Sequence, residues 1–231
     1  MASLASAALS TIGRKILMSL TGLVMFGFVI GHMAGNLQLL AGDSDVFNTY
    51  GHFLVGLGGL LIVVELALLG SLLVHVWTAI NIARGRQAAR PVAYGKLRSA
   101  GSPSRKTFAS STMIYTGVLI LVFLVIHIRS FKYGPAETEG YVTTVDGVEM
   151  RDLHRLVMEK FQQPEWAIGY AIAMVVLGIH LSHAFWSAFQ SLGLYHHRYT
   201  PVIYSAGRLL AFVIAFGFFV IPIWIYFSGA A

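Results

Sequence analysis

The chain has 231 residues, 56% hydrophobic and 11% charged, with a mean hydropathy of +0.71; a soluble chain carries about a quarter charged residues, so a water-soluble globular domain is excluded. The formal charge of +6 lies in a few links between apolar segments, where it acts as an orientation signal and not as a nucleic-acid surface. The absence of cysteine excludes disulfides, thiolate-held iron–sulfur clusters, covalent c-type haem and cysteine nucleophiles.

The first element joins the basic pair Arg14-Lys15 to an apolar run over 16–40, far longer than the roughly 7–15 residues of a signal-peptide core. It is expected to be a retained span over 14–40. Four more segments, 53–83, 108–131, 165–192 and 202–227, are long enough to cross about 30 Å of hydrocarbon at about 1.5 Å per residue. Helix is the state that satisfies backbone groups within each segment in lipid. The fold class is therefore all-α: a polytopic five-helix membrane bundle, expected as a single domain over 1–231.

Four links separate the spans: an acidic one (41–52), a basic one (84–107), a long polar one (132–164) and a short one (193–200). The short link carries a Gly193 stop and a Pro201 start, and Pro222 is expected to kink or end the last span. Within the polar link, Tyr-Val-Thr-Thr-Val, Asp146-Gly147 and Val-Glu-Met predict a small hairpin with a tight turn. Met150, Leu153, Leu156, Val157 and Phe161 then recur at helical spacing and predict a short surface helix capping the bundle.

With five alternating spans, Arg14, Lys15, Arg84, Arg86, Arg90, Lys96, Arg98, Arg105, Lys106, Arg198 and Arg208 fall on one side. Every acidic residue except Glu65 falls on the other. Positive-inside bias then predicts a cytoplasmic N-terminus and an external C-terminus.

Each of the first four spans holds a histidine deep inside it: His32, His75, His127 and His180. Ionisable side chains there are costly and usually face a bundle interior that uses them. One alone reads most simply as a helix-packing hydrogen bonder; four in consecutive spans call for a shared explanation. Counted from the cytoplasmic ends, His32 and His127 lie about 24 and 28 Å up their helices, whereas His75 and His180 lie about 14 and 20 Å up theirs. The four therefore sort into an outer and an inner pair, the arrangement that bis-imidazole ligation of two haems requires. A dinuclear metal cluster is disfavoured, because such sites draw on several glutamates and the membrane region contains only Glu65. Gly27, Gly31 and Gly35 would clear a helix face for a flat macrocycle, although small residues at this spacing also serve ordinary helix packing.

Gly-His-Met-Ala-Gly-Asn (31–36), Glu-Leu-Ala-Leu-Leu-Gly-Ser-Leu-Leu-Val-His-Val (65–76) and His-Leu-Ser-His-Ala-Phe-Trp-Ser-Ala-Phe-Gln-Ser-Leu-Gly-Leu (180–194) resemble the dihaem cytochrome b anchor of succinate dehydrogenase. This is the single-chain, five-helix type also found in quinol:fumarate reductases. The resemblance extends from Thr-Ile-Gly-Arg-Lys-Ile-Leu-Met-Ser-Leu-Thr-Gly (11–22) to Thr-Pro-Val-Ile-Tyr (200–204). It implies two b haems, a distal one on His32 and His127 and a proximal one on His75 and His180. It also implies an iron–sulfur subunit docked on the basic cytoplasmic face, a flavoprotein beyond it, a membrane quinone of the menaquinone type, and a prokaryotic plasma membrane. The same subunit could serve succinate oxidation or fumarate reduction.

In the fourth span the resemblance favours His180 over His183 as ligand, leaving His183 as a propionate or packing neighbour. Arg14, Lys15 and Ser19 resemble groups that meet haem propionates, although the two cations also suit plain inside-positive anchoring. Glu65, expected near the centre of its helix and buried or neutral, is a candidate for proton transfer or quinone binding near the outer haem. Its plainer role is a hydrogen-bonding partner within the bundle. His52, at the outer mouth of the second span, could assist a quinone or be an interfacial loop residue. His154, His196 and His197 are expected to be solvated. Two other functions fit the same spans: a dihaem cytochrome b of a different respiratory oxidoreductase, and a haem-free transporter of protons or metal.

Overall fold

The computed structural model describes residues 10–89 and 107–229; most of the basic link, with Arg90, Lys96, Arg98, Arg105 and Lys106, lies outside them. Helix α1 (Thr11–Asn36) starts at Ser10, whose hydroxyl accepts the Gly13 N–H at 3.0 Å, satisfying one of the free donors of the first turn. A 3-10 turn (Leu37–Ala41) prolongs α1 to Gly42, which takes a left-handed φ of 71°.

The next stretch departs from expectation. The acidic link is mostly helical, as α2 (Ser44–Gly56), and the second span does not begin at 53 but at Gly59, as α3 (Gly59–Ala88). Gly56, Gly58 and Gly59 interrupt the apolar run, and Gly58 has a φ of 53°, which a side chain would resist. Apolar composition continues across the break, so hydropathy alone merged two helices. At its other end α3 runs on to Ala88, so Arg84 and Arg86 ride on helix and not on a link.

Helix α4 (Phe108–His127) opens with a reciprocal cap between Thr107 and Ser110, and a π turn (Ile128–Lys132) extends it. Then follow the hairpin β1 (Val142–Val145) and β2 (Val148–Arg151), a short α5 (Leu153–Phe161), and the long helices α6 (Pro164–Ser191) and α7 (Thr200–Ser228). Gly193 supplies the expected stop with a φ of 80°. Pro222 does not end α7, which continues to Ser228.

Five helices are long and apolar enough to cross a membrane: Thr11–Ala41, Gly59–Ala88, Phe108–Lys132, Pro164–Ser191 and Thr200–Ser228. The fold is an all-α polytopic bundle, and the chain is a multi-pass membrane protein. Helix α1 packs against α3, α6 and α7, and α6 packs against α4 and α7. Helices α3 and α4 barely meet, so the bundle has two halves, α1/α3 and α4/α6/α7, joined along α1.

One end of the bundle carries the hairpin and is capped; the other carries Arg14, Lys15, Arg84, Arg86, Arg198 and Arg208 among the described residues. These are the hairpin end and the basic end below. Val142 pairs with Arg151 and Val145 with Val148 across the turn. Asp146 and Gly147 both take positive φ, 50° and 79°, as a two-residue turn matched to strand twist demands. The Arg151 guanidinium donates to the carbonyls of Phe131 at 2.9 Å and Pro135 at 2.7 Å, tying the hairpin to the end of α4.

Asn48, 1% exposed, joins α2 to α5. Its amide donates to Asp152 at 2.9 Å while its carbonyl accepts the His154 N–H at 2.8 Å. Leu39, Phe47, Val157, Phe161, Tyr170 and Ile225 form one buried cluster beneath, so α5 caps the bundle as its pattern predicts. Met150 does not belong to that helix: it lies on β2, although it is buried. The extended backbone through Arg151 breaks the helical register that its spacing suggested.

Candidate cofactor site: two histidine pairs

The outermost expected pair meets directly. His32 on α1 and His127 on α4 stand with ring centroids 5.7 Å apart and planes at 83°. Two imidazoles sharing one metal at about 2 Å per bond would have centroids roughly 6 Å apart. Phe28 stacks on His32 at 5.3 Å, and Phe123 on His127 at 5.7 Å. Phe218 closes on His32 from α7. The surroundings are aromatic and apolar, suited to a flat, largely apolar macrocycle.

The second pair lies toward the basic end. His75 on α3 approaches α1, where its Nδ1 stands 3.1 Å from the Met18 carbonyl and 3.5 Å from the Thr21 hydroxyl. Gly22 makes that approach possible, since a Cβ there would stand 3.3 Å from the His75 ring. His180 on α6 approaches α4, its Nδ1 3.0 Å from the Thr116 hydroxyl. Gly117 lies beside its Cε1.

Three helices give the spacing between the two levels independently. From Gly22 to His32, Thr116 to His127 and Tyr170 to His180 the separations are ten or eleven residues, about 15 Å of helix rise. The two pairs therefore sit one above the other, and each takes one histidine from each half of the bundle.

Three of the rings share a further property: Nδ1 of His75 faces a carbonyl, and Nδ1 of His127 and His180 face hydroxyls, that of Tyr170 at 3.4 Å and that of Thr116 at 3.0 Å. His32 differs, since the Asn36 amide nitrogen donates to its carbonyl at 2.8 Å and stands 3.4 Å from its Nδ1. No hydrogen bond among the described residues uses any of the four Nε2 atoms. A metal-ligating imidazole donates its Nδ1–H and keeps the Nε2 lone pair, a form open to His75, His127 and His180. Among the described residues no group of three or more His, Cys, Asp or Glu could hold a metal ion; the candidate donors are imidazole pairs. Axial ligation of a porphyrin iron asks for such a pair.

His183, one turn from His180, differs. Its Nδ1 is buried without a hydrogen-bond partner, and its ring packs edge-on against Trp186 at 5.1 Å. Arg14 lies one turn below Met18, and its Nε is buried and unpartnered. A cation in that setting suits an anionic carboxylate near the basic-end pair. The Ser19 hydroxyl, by contrast, donates to the Lys15 carbonyl of its own helix at 2.8 Å.

Several expected placements need correction. Glu65 is neither central nor buried: α3 begins at Gly59, so Glu65 lies about 9 Å from the hairpin end. It is half-exposed and ion-paired to Lys132 at the end of α4. His52 is not at the mouth of a span; it is exposed on α2. His154 is half-buried, its ring edge-on to Phe47, because α5 folds back on α2. His196 and His197 lie exposed in the short link, their rings 4.4 Å apart. Of the three spaced glycines, Gly27 and Gly31 face open space, whereas Gly35 is closed by Tyr50, whose hydroxyl oxygen stands 2.5 Å from a Cβ position.

Sequence reasoning missed Asn36, Thr116, Tyr170 and Lys132. Asn36 was findable, being four residues from His32 on one helix face. The other three lie on different helices from the groups they meet, so no spacing could reveal them. Searches of protein-family models, curated proteins and solved structures find no match to the chain.

Proposed function

We propose that the chain is the cytochrome b membrane anchor of a succinate:quinone oxidoreductase in a prokaryotic plasma membrane. Its basic end faces the cytoplasm and its hairpin end faces outward. The observation that carries the proposal is the set of four intramembrane imidazoles, sorted into two levels, with no hydrogen bond at Nε2 among the described residues. The resemblance of 31–36, 65–76 and 180–194 to succinate dehydrogenase anchors supplies the partner assignment.

His32 and His127 would hold the outer haem, and His75 and His180 the inner one. When bound, the two haems would supply one-electron carriers, with chemistry that belongs to the cofactor. The protein fixes ring orientation through Nδ1, excludes water with Phe28, Phe123 and Phe218, and places Arg14 where a propionate would be neutralised. Lys15 and Ser19 belong to the same basic-end turn. The cytoplasmic face receives an iron–sulfur subunit and, through it, a flavoprotein. Glu65, half-exposed toward the hairpin end and ion-paired to Lys132, would exchange a proton with a quinone of the menaquinone type; His52 lies on α2.

Purification from its native membrane, with pyridine-haem quantification and subunit analysis, tests the proposal. Two haem b per chain and copurifying flavin and iron–sulfur subunits are expected. Two haems with a different soluble partner would move the chain to another respiratory enzyme. A colourless, folded protein would leave a transporter as the better reading.

A further inference from the structure

We propose that Thr116 and Tyr170 are positioning residues, each holding Nδ1 of one iron-ligating histidine so that its Nε2 meets the metal in a fixed ring orientation. This rests on the haem ligation proposed above. The two act reciprocally. Helix α4 carries the outer ligand His127 and the residue that orients the inner ligand; α6 carries the inner ligand His180 and the residue that orients the outer one.

The hydrogen-bond inventory supports this role for Thr116. Its hydroxyl proton is taken by its own helix, at the Thr112 and Met113 carbonyls, 3.2 and 3.1 Å away. The hydroxyl oxygen is left as an acceptor, and what it faces at 3.0 Å is Nδ1 of His180. With the hydroxyl proton on the helix carbonyls, that contact puts the ring proton on Nδ1 and leaves the Nε2 lone pair free. Thr116 is 5% exposed, so water does not compete.

Tyr170 is held by its surroundings. Its ring is 8% exposed and packs edge-on against Phe123 at 4.9 Å and Phe161 at 5.0 Å. It cannot swing away, and its hydroxyl reaches Nδ1 of His127 at 3.4 Å. Valine at 116 and phenylalanine at 170 would fill nearly the same volumes, so packing does not account for the two hydroxyls. Partners of this kind fix ring angle and raise ligand basicity.

The test uses the intact complex carrying Thr116→Val, Thr116→Ser or Tyr170→Phe. Haem is counted, both haems are titrated potentiometrically, and their low-spin ferric EPR signals are recorded. The inner haem is identified by its loss in His75→Ala and the outer one by its loss in His32→Ala. Both haems should remain in the three variants. Thr116→Val should shift the inner EPR signal and raise the inner midpoint potential, leaving the outer haem unmoved. Tyr170→Phe should do the converse, by less, because its contact is longer. Thr116→Ser should restore the inner haem. If Thr116→Val sheds a haem, it must be the inner one, with Thr116→Ser retaining it. Signals unmoved in both variants, or moved in the opposite haem, overturn the inference while leaving the haem reading intact. A haem-free wild-type complex overturns that reading, and this inference with it.

Discussion

Imidazoles in an apolar interior are disfavoured on insertion and are kept where they bind something. Three of the four here, His75, His127 and His180, differ from packing histidines in having Nδ1 engaged and Nε2 open. The contrast between neighbours on α6 makes this concrete: His180 has a cross-helix partner, whereas Nδ1 of His183 has none. His180→Ala should remove the inner haem and His183→Ala should keep both, as read by pyridine-haem stoichiometry. Loss of a haem in His183→Ala but not in His180→Ala would reverse the assignment. At the hairpin end, Glu65 and Lys132 form an ion pair between helices that otherwise barely meet. Glu65→Gln should slow quinone turnover at least tenfold with both haems retained, while Lys132→Gln should have the smaller effect. Steady-state assays with a soluble quinone analogue would show this, and unchanged turnover in Glu65→Gln would remove the carboxylate from the reaction. The candidate ligands were legible in sequence because depth along a helix is a matter of counting. Their partners were not, because Thr116 and Tyr170 meet their targets only once helices are packed.

At the scale of elements, five spans and the hairpin follow from apolar length and from Asp146-Gly147. The break at Gly56–Gly59 does not, since the hydropathy either side of it is that of one long span. What fixes α2 as a separate helix is tertiary: Phe47 and Asn48 are buried against α5 and its neighbours. Asn48 satisfies both the Asp152 carboxylate and the His154 N–H. Asn48→Ala leaves the His154 N–H without its partner and takes one of two donors from the Asp152 carboxylate, which keeps the Arg155 N–H, and should destabilise the cap by about 1–3 kcal/mol. Limited proteolysis between 142 and 161 in detergent should then be faster than in wild type, with the transmembrane core intact. Equal rates would mean that water replaces the amide. The same tertiary dependence explains Met150, whose spacing fits a helix but whose backbone is committed to β2 by its register with Thr143.

For the whole molecule, charge asymmetry is the governing pattern. The ten acidic residues all fall in the half nearer the hairpin, whereas the basic end has none among the described residues. Positive-inside bias then orients the bundle. A C-terminal alkaline phosphatase fusion should be active and a C-terminal green fluorescent protein fusion dark, with the opposite result after residue 89. Reversed signals would invert the proposed sidedness and move the docking face to the other side.

The division of the helices into α1/α3 and α4/α6/α7 also bears on how the protein matures. Each histidine pair draws one ring from either group, so the outer level is complete once the third long helix has left the insertion machinery and the inner level only once the fourth has. If the pairs hold haem as proposed, the inner level is filled only late in synthesis, and until then the two groups are joined chiefly along α1. Cells starved of porphyrin should accumulate this loosely joined form and clear it by membrane proteolysis; pulse-chase labelling would show a shorter half-life that porphyrin supplementation restores.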